Sequence, residues 1–246
     1  MRKSIIFFAM LVSFATCKKN ITSLNIDTKR PSEVPAATLF SYATKSYSDV
    51  VTSASVNTNV FRFTTSHWAM VTYQEEAQYD FGTRNIPQAW WTTMYREVLQ
   101  NLTQSSTIIK ANVTLNAGIK SNQLAIIDIM QVLAYSTLVN TFGNVPYSQA
   151  LDQQNLFPKY DDAKTISLVL LKRLNTDIAQ LNTASAGFSA SEDLIFQGNI
   201  SKWIKFGNSM RIQQALILAD ADNAVAKTAI EASDAGAISA DVDSDF

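Results

Sequence analysis

The stretch from Ser121 to Thr141, SNQLAIIDIMQVLAYSTLVNT, decides the fold class of this chain. Its apolar residues recur at helical spacing and occupy two faces of the helix. One face carries Leu124, Ile127, Ala134 and Leu138, and the other carries Ile126, Ile129, Met130 and Leu133. A helix that is apolar on most sides must be buried on most sides. The stretch therefore predicts a helix that neighbouring elements cover almost completely.

The residues that follow predict how this helix ends and the next one begins. Phe142-Gly143 is a predicted end, because glycine tolerates the left-handed conformation at that position. Pro146 disfavours a helical conformation at Val145, which predicts an extended connection. Asp161 and Asp162 can accept the free N–H groups of a new first turn. The helix after them carries an apolar seam of Ile166, Leu170, Leu174, Ile178 and Leu181.

Further helical patterns lie on both sides of this pair. A first helix from Ala36 places Leu39, Tyr42, Ala43 and Tyr47 on one face. A second, within Pro87 to Lys110, carries Trp91, Met94, Tyr95, Val98 and Leu102. Ser201 is placed to cap another helix with a buried stripe of Trp203, Phe206, Met210 and Ile217, and Ala224 to Ala235 predicts one more.

Asn57 to Ile86 has no clean period and predicts a loop with a short helix. Because no segment shows convincing strand alternation, we predict an all-α fold of antiparallel helix pairs with long irregular loops.

The N-terminus has the pattern of an export signal. Arg2 and Lys3 precede a short apolar run that stops at Lys18, well below the roughly 20 residues that a membrane span needs. We interpret residues 1–16 as a signal peptide and the only cysteine, Cys17, as a lipidation site. An ordinary secretory signal with an uninvolved cysteine is the alternative. Residues 17–35 are polar and contain two prolines, which predicts a flexible tether before a helical domain at 36–246.

Composition limits the possible functions. The chain has 246 residues, of which 47% are hydrophobic and 17% charged, so it can bury a sizeable core. A formal net charge of -1 gives no electrostatic attraction to nucleic acid, which we exclude as a partner. One cysteine cannot close an internal disulfide. Neither a cofactor nor a metal site is predicted.

Several blocks of sequence resemble one known family. The segment Asn140-Thr-Phe-Gly-Asn-Val-Pro-Tyr-Ser-Gln-Ala-Leu151 is similar to a characteristic block of the SusD/RagB family of outer-membrane nutrient-binding lipoproteins. Pro158-Lys-Tyr-Asp161, Glu192-Asp-Leu-Ile-Phe-Gln-Gly198 and Ser201-Lys-Trp-Ile-Lys-Phe-Gly-Asn-Ser-Met-Arg211 resemble later blocks of that family in the same order. The resemblance runs from Cys17 to the end of the chain and is that of the SusD-like branch.

The resemblance implies a tetratricopeptide-like helical scaffold and a receptor function. Members of the family capture an oligosaccharide, another glycan or a peptide at the cell surface. They deliver it to a TonB-dependent (SusC-like) outer-membrane transporter without catalysing a reaction. Such relatives are about twice as long, so the chain resembles their N-terminal portion and is expected to be incomplete at the C-terminus. Because each helical repeat depends on its neighbours, we expect the chain alone to be marginally stable or prone to aggregate.

Catalytic and metal-binding alternatives have little support in the sequence. His67 is the only histidine, so every histidine-dependent triad or zinc site would need it. Glu75, Glu76 and Asp80 could supply a carboxylate pair for glycoside hydrolysis, but close sequence neighbours more often face solvent. Asp241, Asp243 and Asp245 alternate as in a calcium loop, without its glycine and distal glutamate. We predict no catalytic residue. A glycan hydrolase and a scaffold or adaptor lipoprotein without a small-molecule ligand remain the alternatives.

Aromatic side chains are the best candidates for ligand binding. Sugar rings pack their C–H faces on aromatic planes, and tyrosine and tryptophan add a polar edge for hydroxyls. The candidate ligand-binding residues are Trp68, Tyr73, Tyr79 and Phe81 within the aperiodic stretch and Trp90 at the start of the helix that follows. Four other aromatic residues sit at helical spacing on apolar faces and are predicted core residues: Trp91, Tyr95, Trp203 and Phe206.

Overall fold

Helices account for nearly all regular structure in residues 33–52 and 60–239, the parts of the chain that the computed structural model describes. The helices are α1 Ala36–Thr52, α2 Phe61–Thr64, α3 Ile86–Thr92, α4 Gln100–Ala111, α5 Ala117–Phe142, α6 Ala163–Gln180, α7 Ile200–Leu218 and α8 Asn223–Glu231. Short 3-10 turns occupy Glu76–Gln78 and Asp234–Gly236. Two-residue strands, β1 Val145–Pro146 and β2 Tyr160–Asp161, pair antiparallel. The all-α prediction is confirmed.

Helices α3 and α4 are the two ends of one continuous helix. A π-helical segment, Thr93–Leu99, joins them. Of the stripe predicted here, Met94, Val98 and Leu102 are fully buried. Trp91 and Tyr95 are only half-buried and pack on the edge of the core. This difference leaves two aromatic rings of the helix available at the surface.

Helix α5 lies within the core, as its sequence predicts. The Asn116 side chain accepts hydrogen bonds from the N–H groups of Gly118 and Ile119 at its start. The helix ends at Gly143, whose φ of 76° lies in the left-handed region that glycine tolerates. By length and composition α5 could cross a membrane, but 61% of its most apolar window is buried inside the protein. We therefore assign it as a core helix.

Consecutive helices pack against one another along the chain. Helix α1 packs on the π-helical segment and on α4, α4 on α5, α5 on α6, α6 on α7, and α7 on α8. Short connections after α4 and α7 make these pairs antiparallel, as predicted. One large hydrophobic cluster contains residues of α1, the α3–α4 helix, α5, α6 and α7. A smaller cluster at the end of α7 contains Leu171, Ala215, Leu218, Ala226 and Ala229.

Two predicted helix caps are wrong. Asp162 caps α6 by accepting a hydrogen bond from the Thr165 N–H at 2.9 Å, but Asp161 does not contribute. Its carboxylate instead accepts from the N–H groups of Tyr147 and Ser148 at 3.2 and 2.7 Å. The cap of α7 is Asn199, whose Oδ1 accepts from the Lys202 N–H. Ser201 lies inside the first turn and is exposed.

Two predicted core residues are also wrong. Tyr42 is exposed, because the buried face of α1 is centred on Phe40, Ala43 and Thr44. Its hydroxyl donates a hydrogen bond to Glu97 at 2.6 Å. Ile217 is exposed as well, since the last turns of α7 bury Ala215 and Leu218 against α8 instead.

Candidate functional site

Aromatic side chains gather where α3 begins and α5 ends. They enclose a pocket of about 390 Å³, which we call the aromatic pocket. It is lined by Phe61, Phe81, Ile86, Pro87, Trp90, Thr141 and Phe142. The structure thus brings together two of the predicted ligand-binding residues, Phe81 and Trp90, and adds Phe61 and Phe142.

A short turn fixes the position of Phe81 in the aromatic pocket. The Asp80 carboxylate accepts hydrogen bonds from the N–H groups of Gly82 and Thr83 and from the Thr83 hydroxyl. The hydrogen bond from the Thr83 hydroxyl is the main cause of a lowered pKa for Asp80. Asn85, immediately before α3, has a left-handed φ of 53° and redirects the chain into that helix. Phe81 is therefore held by the backbone of a closed turn.

Trp90 forms a wall of the aromatic pocket and is largely buried. The residue is 8% exposed, and its indole ring meets the Phe61 ring edge-to-face at a centroid distance of 5.5 Å. The buried Nε1–H has no hydrogen-bond partner among the described residues. Trp90 can therefore contribute a ring surface to a ligand, whereas its N–H would need a local movement to reach one.

The other three predicted ligand-binding residues lie outside the aromatic pocket. The Trp68 ring packs edge-to-face on Phe63, and the Arg62 guanidinium lies 4.9 Å from the centre of the Trp68 ring. The Tyr79 hydroxyl donates to the Thr64 carbonyl at 3.0 Å. Tyr73 is 69% exposed. These rings are on the surface of the same loop region, but they do not line the aromatic pocket.

A second cleft lies between the α3–α4 helix and the loop that joins β1 to β2. We call it the loop cleft; its volume is about 340 Å³. Its lining includes Trp91, Tyr95, Pro146, Leu151, Leu156, Phe157 and Tyr160. The sequence did not predict this cleft, because Trp91 and Tyr95 have the spacing of core residues. Adjacent Leu156 and Phe157 in an aperiodic loop were a signal that could have indicated it.

A polar cleft of about 560 Å³ adjoins the loop cleft, and the two share Ala150 and Leu151. Arg173 lies in the polar cleft and donates two hydrogen bonds to Asp128, at 3.0 and 2.5 Å. It also donates to Gln131 at 2.8 Å and to the Tyr147 hydroxyl at 2.9 Å. Its positive charge is therefore already balanced by a carboxylate.

The base of the loop is stabilised by a carboxylate. The N–H of Ser148 is the largest of several hydrogen-bond donors that lower the pKa of Asp161 to about 2. On the opposite side, the Tyr95 hydroxyl donates to the Pro146 carbonyl at 2.6 Å. Burial, with a smaller contribution from Tyr135, raises the pKa of Tyr95. Both groups keep one protonation state at neutral pH and hold the loop against the helix.

Two acidic residues of the aperiodic stretch, Glu76 and Asp80, have structural roles, whereas Glu75 has a buried Oε2 without a hydrogen-bond partner among the described residues. Glu76 is fully buried, and its Oε1 lies 2.6 Å from Arg84 Nε. Asp80 closes the turn before α3, and His67 is exposed. In residues 33–52 and 60–239, no group of three or more His, Cys, Asp or Glu side chains could hold a metal ion. Asp241, Asp243 and Asp245, the alternating acids considered for calcium, lie outside the described residues.

Residues 28–243 match the family model SusD-like_2, described as "Starch-binding associating with outer membrane". No curated protein matches the chain. Similar solved structures include a chitin-binding protein, with 24% identity and a TM-score of 0.66 over 83% of this chain and 44% of that one. A SusD-like protein of Bacteroidetes AC2a has 23% identity and a TM-score of 0.64, covering 84% of this chain and 38% of that one.

A SusD-like protein from Bacteroides thetaiotaomicron VPI-5482 has 19% identity and a TM-score of 0.64, over 83% of this chain and 42% of that one. The chain thus spans less than half the length of each of these three proteins. At such identities the likeness shows that the fold is shared. It supports the SusD-like helical scaffold that the sequence blocks predict.

Proposed function

The chain belongs to the SusD-like family, described as starch-binding and associating with the outer membrane, and from this membership we propose that it captures a glycan for uptake. In this proposal it is a receptor without catalytic activity. It binds the glycan at the cell surface and delivers it to a TonB-dependent (SusC-like) transporter in the outer membrane.

The aromatic pocket is the observation on which the glycan proposal depends. Phe61, Phe81, Trp90 and Phe142 present ring surfaces within one pocket of about 390 Å³. Sugar rings carry patches of C–H that pack on such surfaces, and enclosure by several rings excludes water from the contact. Because Asp80 and the turn it closes fix Phe81 beforehand, a ligand would not have to order that ring.

The electrostatics of this region favour a neutral ligand and binding over hydrolysis. Among the residues that the structure describes, none that lines the aromatic pocket is charged. Glu76 is paired with Arg84 and Asp80 accepts hydrogen bonds within its own turn, so neither is poised beside a substrate bond. A glycosidase needs two carboxyl groups that flank the scissile bond. The lining of the aromatic pocket supplies none.

The family and one similar structure suggest which glycans to test first. The family is described as starch-binding, and one similar structure is a chitin-binding protein. Starch and chitin are both uncharged polymers of pyranose rings. We therefore propose an uncharged oligosaccharide as the ligand class, with a peptide as the competing class.

Lipid anchoring through Cys17 is a further part of the proposal. Cys17 and the predicted signal peptide lie outside the described residues. Acylation of this cysteine would attach the chain to the outer membrane, and residues 18–35 would connect the anchor to α1. This arrangement would keep the receptor beside its transporter.

Replacing Phe81 with alanine tests the aromatic pocket. The probes are malto-oligosaccharides, chito-oligosaccharides and a peptide panel, measured by isothermal titration calorimetry on the chain from which the predicted signal peptide, residues 1–16, has been removed. We expect Phe81→Ala to weaken binding of the preferred oligosaccharide by about tenfold or more, because a ring contact and its buried area are lost. Circular dichroism should show unchanged helical content.

Tyr42→Ala is the matched control. Tyr42 is an exposed aromatic residue of α1 and lines neither the aromatic pocket nor the loop cleft. Its replacement should leave the affinity unchanged. The proposal would be wrong if no oligosaccharide bound, if peptides bound instead, or if Phe81→Ala retained full affinity.

A further inference from the structure

The loop cleft has a rim of apolar side chains that the fold does not bury. Leu156 is 79% exposed and Phe157 is 91% exposed, and Tyr160 beside them is also exposed. They face a floor made by Trp91 and Tyr95 from the α3–α4 helix. Adjacent large apolar side chains at a loop tip gain nothing from folding, and a group of them indicates a binding surface.

The loop that joins β1 to β2 is held in place by hydrogen bonds, and the apolar rim takes no part in them. The β1–β2 pair closes its base, and Asp161 accepts from the N–H groups of Tyr147 and Ser148. Within the loop, Gln149 Oε1 accepts from the Lys159 N–H at 3.1 Å and from Asn155 Nδ2 at 3.2 Å. The loop is thus organised by polar groups, so the exposed rings are available for a ligand.

Trp91 connects the loop cleft to the aromatic pocket. Its ring lies 6.1 Å from the Tyr160 ring, with the two planes 28° apart. The same ring meets Phe142, a wall of the aromatic pocket, at 5.2 Å. Trp90 and Trp91 are consecutive in the helix and point in different directions, so one supplies each cavity. A row of rings therefore runs from Phe81 to Phe157.

The groups around the loop cleft define the ligand class. The polar cleft beside it offers the side chains of Tyr147, Ser148 and Asp152 for contacts with hydroxyl groups. Arg173 is already paired with Asp128, so among the described residues that line the two clefts no free positive charge is available for an acidic sugar. An elongated, uncharged molecule with apolar ring faces and polar edges fits the aromatic lining of the loop cleft and the hydroxyl-binding side chains beside it.

We propose that the loop cleft is a second sugar subsite, joined to the aromatic pocket across Trp91, so that the protein selects uncharged glycans of several rings over short ones. This inference rests on the proposed function, because it takes the aromatic pocket as the first subsite. Phe157 and Tyr160 form the outer wall of the second. A glycan that extends past Trp91 gains their contacts, whereas a disaccharide in the aromatic pocket does not.

The test compares the double variant F157A/Y160A with the unchanged chain against malto- and chito-oligosaccharides from disaccharide to heptasaccharide. We expect the affinity of the unchanged chain to rise with length. In the double variant this rise should disappear, with a loss of about tenfold or more for the longest probe and no change for the disaccharide. Phe81→Ala should weaken binding at every length. Tyr42→Ala again serves as the control.

Each outcome distinguishes the two proposals. If F157A/Y160A keeps full affinity for the longest probe, or if affinity does not depend on length, the second subsite is disproved while the aromatic pocket stands. If Phe81→Ala has no effect and the double variant weakens every probe, the proposed first subsite is wrong, and the joined site with it. Co-sedimentation with vesicles of phosphatidylethanolamine and phosphatidylglycerol is measured for the same variants. If the double variant loses only this binding, the rim contacts a membrane and the inference is overturned. Because both replaced side chains are exposed, thermal unfolding should be unchanged.

Discussion

At the scale of single residues, Asp193 explains how two separate blocks of sequence hold each other in place. Its carboxylate is fully buried and accepts hydrogen bonds from the N–H groups of Ile195, Phe196 and Gly198 and from the indole of Trp203. The first three close the turn before α7, and the fourth attaches that turn to the helix. A buried carboxylate with four donors is satisfied, so losing any of these hydrogen bonds is costly.

Asp193→Asn should destabilise the protein by about 2–4 kcal/mol, because the amide nitrogen would face donors that now meet an oxygen. The free energy of unfolding from urea titration measures the effect. Asp152→Asn is the control: the exposed Asp152 accepts a hydrogen bond from the N–H of Gln154 in a loop, and its change should cost less than about 1 kcal/mol. Equal stabilities of the two variants would contradict this role for Asp193.

Residue patterns in the sequence predicted the buried seams better than the caps. The seam of α6 was predicted correctly, because Ile166, Leu170 and Leu174 are fully or almost fully buried. The cap of α7 could not be chosen from the sequence, since Asn199 and Ser201 are both good capping residues. What selects Asn199 is the position of the preceding turn. Asp193 fixes that turn through Trp203, ten residues away in the chain.

At the scale of elements, the contact between α5 and α6 contains a buried polar network. Asp128 of α5 forms a two-pronged ion pair with Arg173 of α6, and Asp177 of α6 lies buried beside it. Burial is the largest cause that raises the pKa of Asp177, to about 9, and the negative charge of Asp128 adds to it. Burial opposes ionisation of Asp128 too, but the hydrogen bond and charge of Arg173 lower its pKa overall.

The raised pKa of Asp177 makes stability depend on pH. An unfolded aspartate ionises near pH 4, so between about pH 4 and 9 the folded protein retains a proton that the unfolded chain has released. The free energy of unfolding should therefore fall as the pH rises through this window. Asp177→Asn removes the ionisation and keeps a donor for Asp128. We expect this variant to be more stable than the unchanged chain by about 2 kcal/mol or more at pH 9.

Urea titrations at several pH values measure this difference. Asp49→Asn is the control, because Asp49 is an exposed residue of α1. Its stability profile should run parallel to that of the unchanged chain. If the profile of Asp177→Asn were parallel as well, Asp177 would not be the group that holds the proton.

The candidate site shows what element patterns do not reveal. Trp91 and Tyr95 are four residues apart on an apolar helix face, and that spacing predicts core burial. Whether such a face is fully covered depends on the loop 146–160, which belongs to a distant part of the chain. The loop leaves a cleft beside both rings. Helix periodicity therefore predicted the apolar helix face but not the cleft that leaves part of it uncovered. The aromatic pocket was partly predictable, because Phe81 and Trp90 stood out by residue type alone.

At the scale of the whole molecule, the helices form the scaffold and two loop regions carry the candidate binding surface. Residues 60–86 supply Phe61 and Phe81, and residues 146–160 supply Phe157 and Tyr160. Both regions meet at the start of α3 and the end of α5, where Trp91 contacts Phe142. This division suits a receptor, since loops can vary with the ligand while packed helices hold them.

The proposed anchor belongs to the same scale, because it decides where this surface works. We predict that Cys17→Ser releases the chain from the outer membrane, since the serine hydroxyl does not replace the thiol as the acceptor of a lipid. Acyl chains supply most of the membrane affinity of an anchored protein, at about 0.8 kcal/mol per buried CH₂. Expression in a bacterial host, followed by membrane fractionation and labelling with radioactive palmitate, measures the change.

Ser23→Ala, in the same predicted tether, should keep both the label and the membrane location. Oligosaccharide affinity of the purified Cys17→Ser chain should be unchanged, because neither proposed subsite includes Cys17. A Cys17→Ser chain that still carried label, or an unchanged chain that carried none, would disprove the anchor without affecting the binding site.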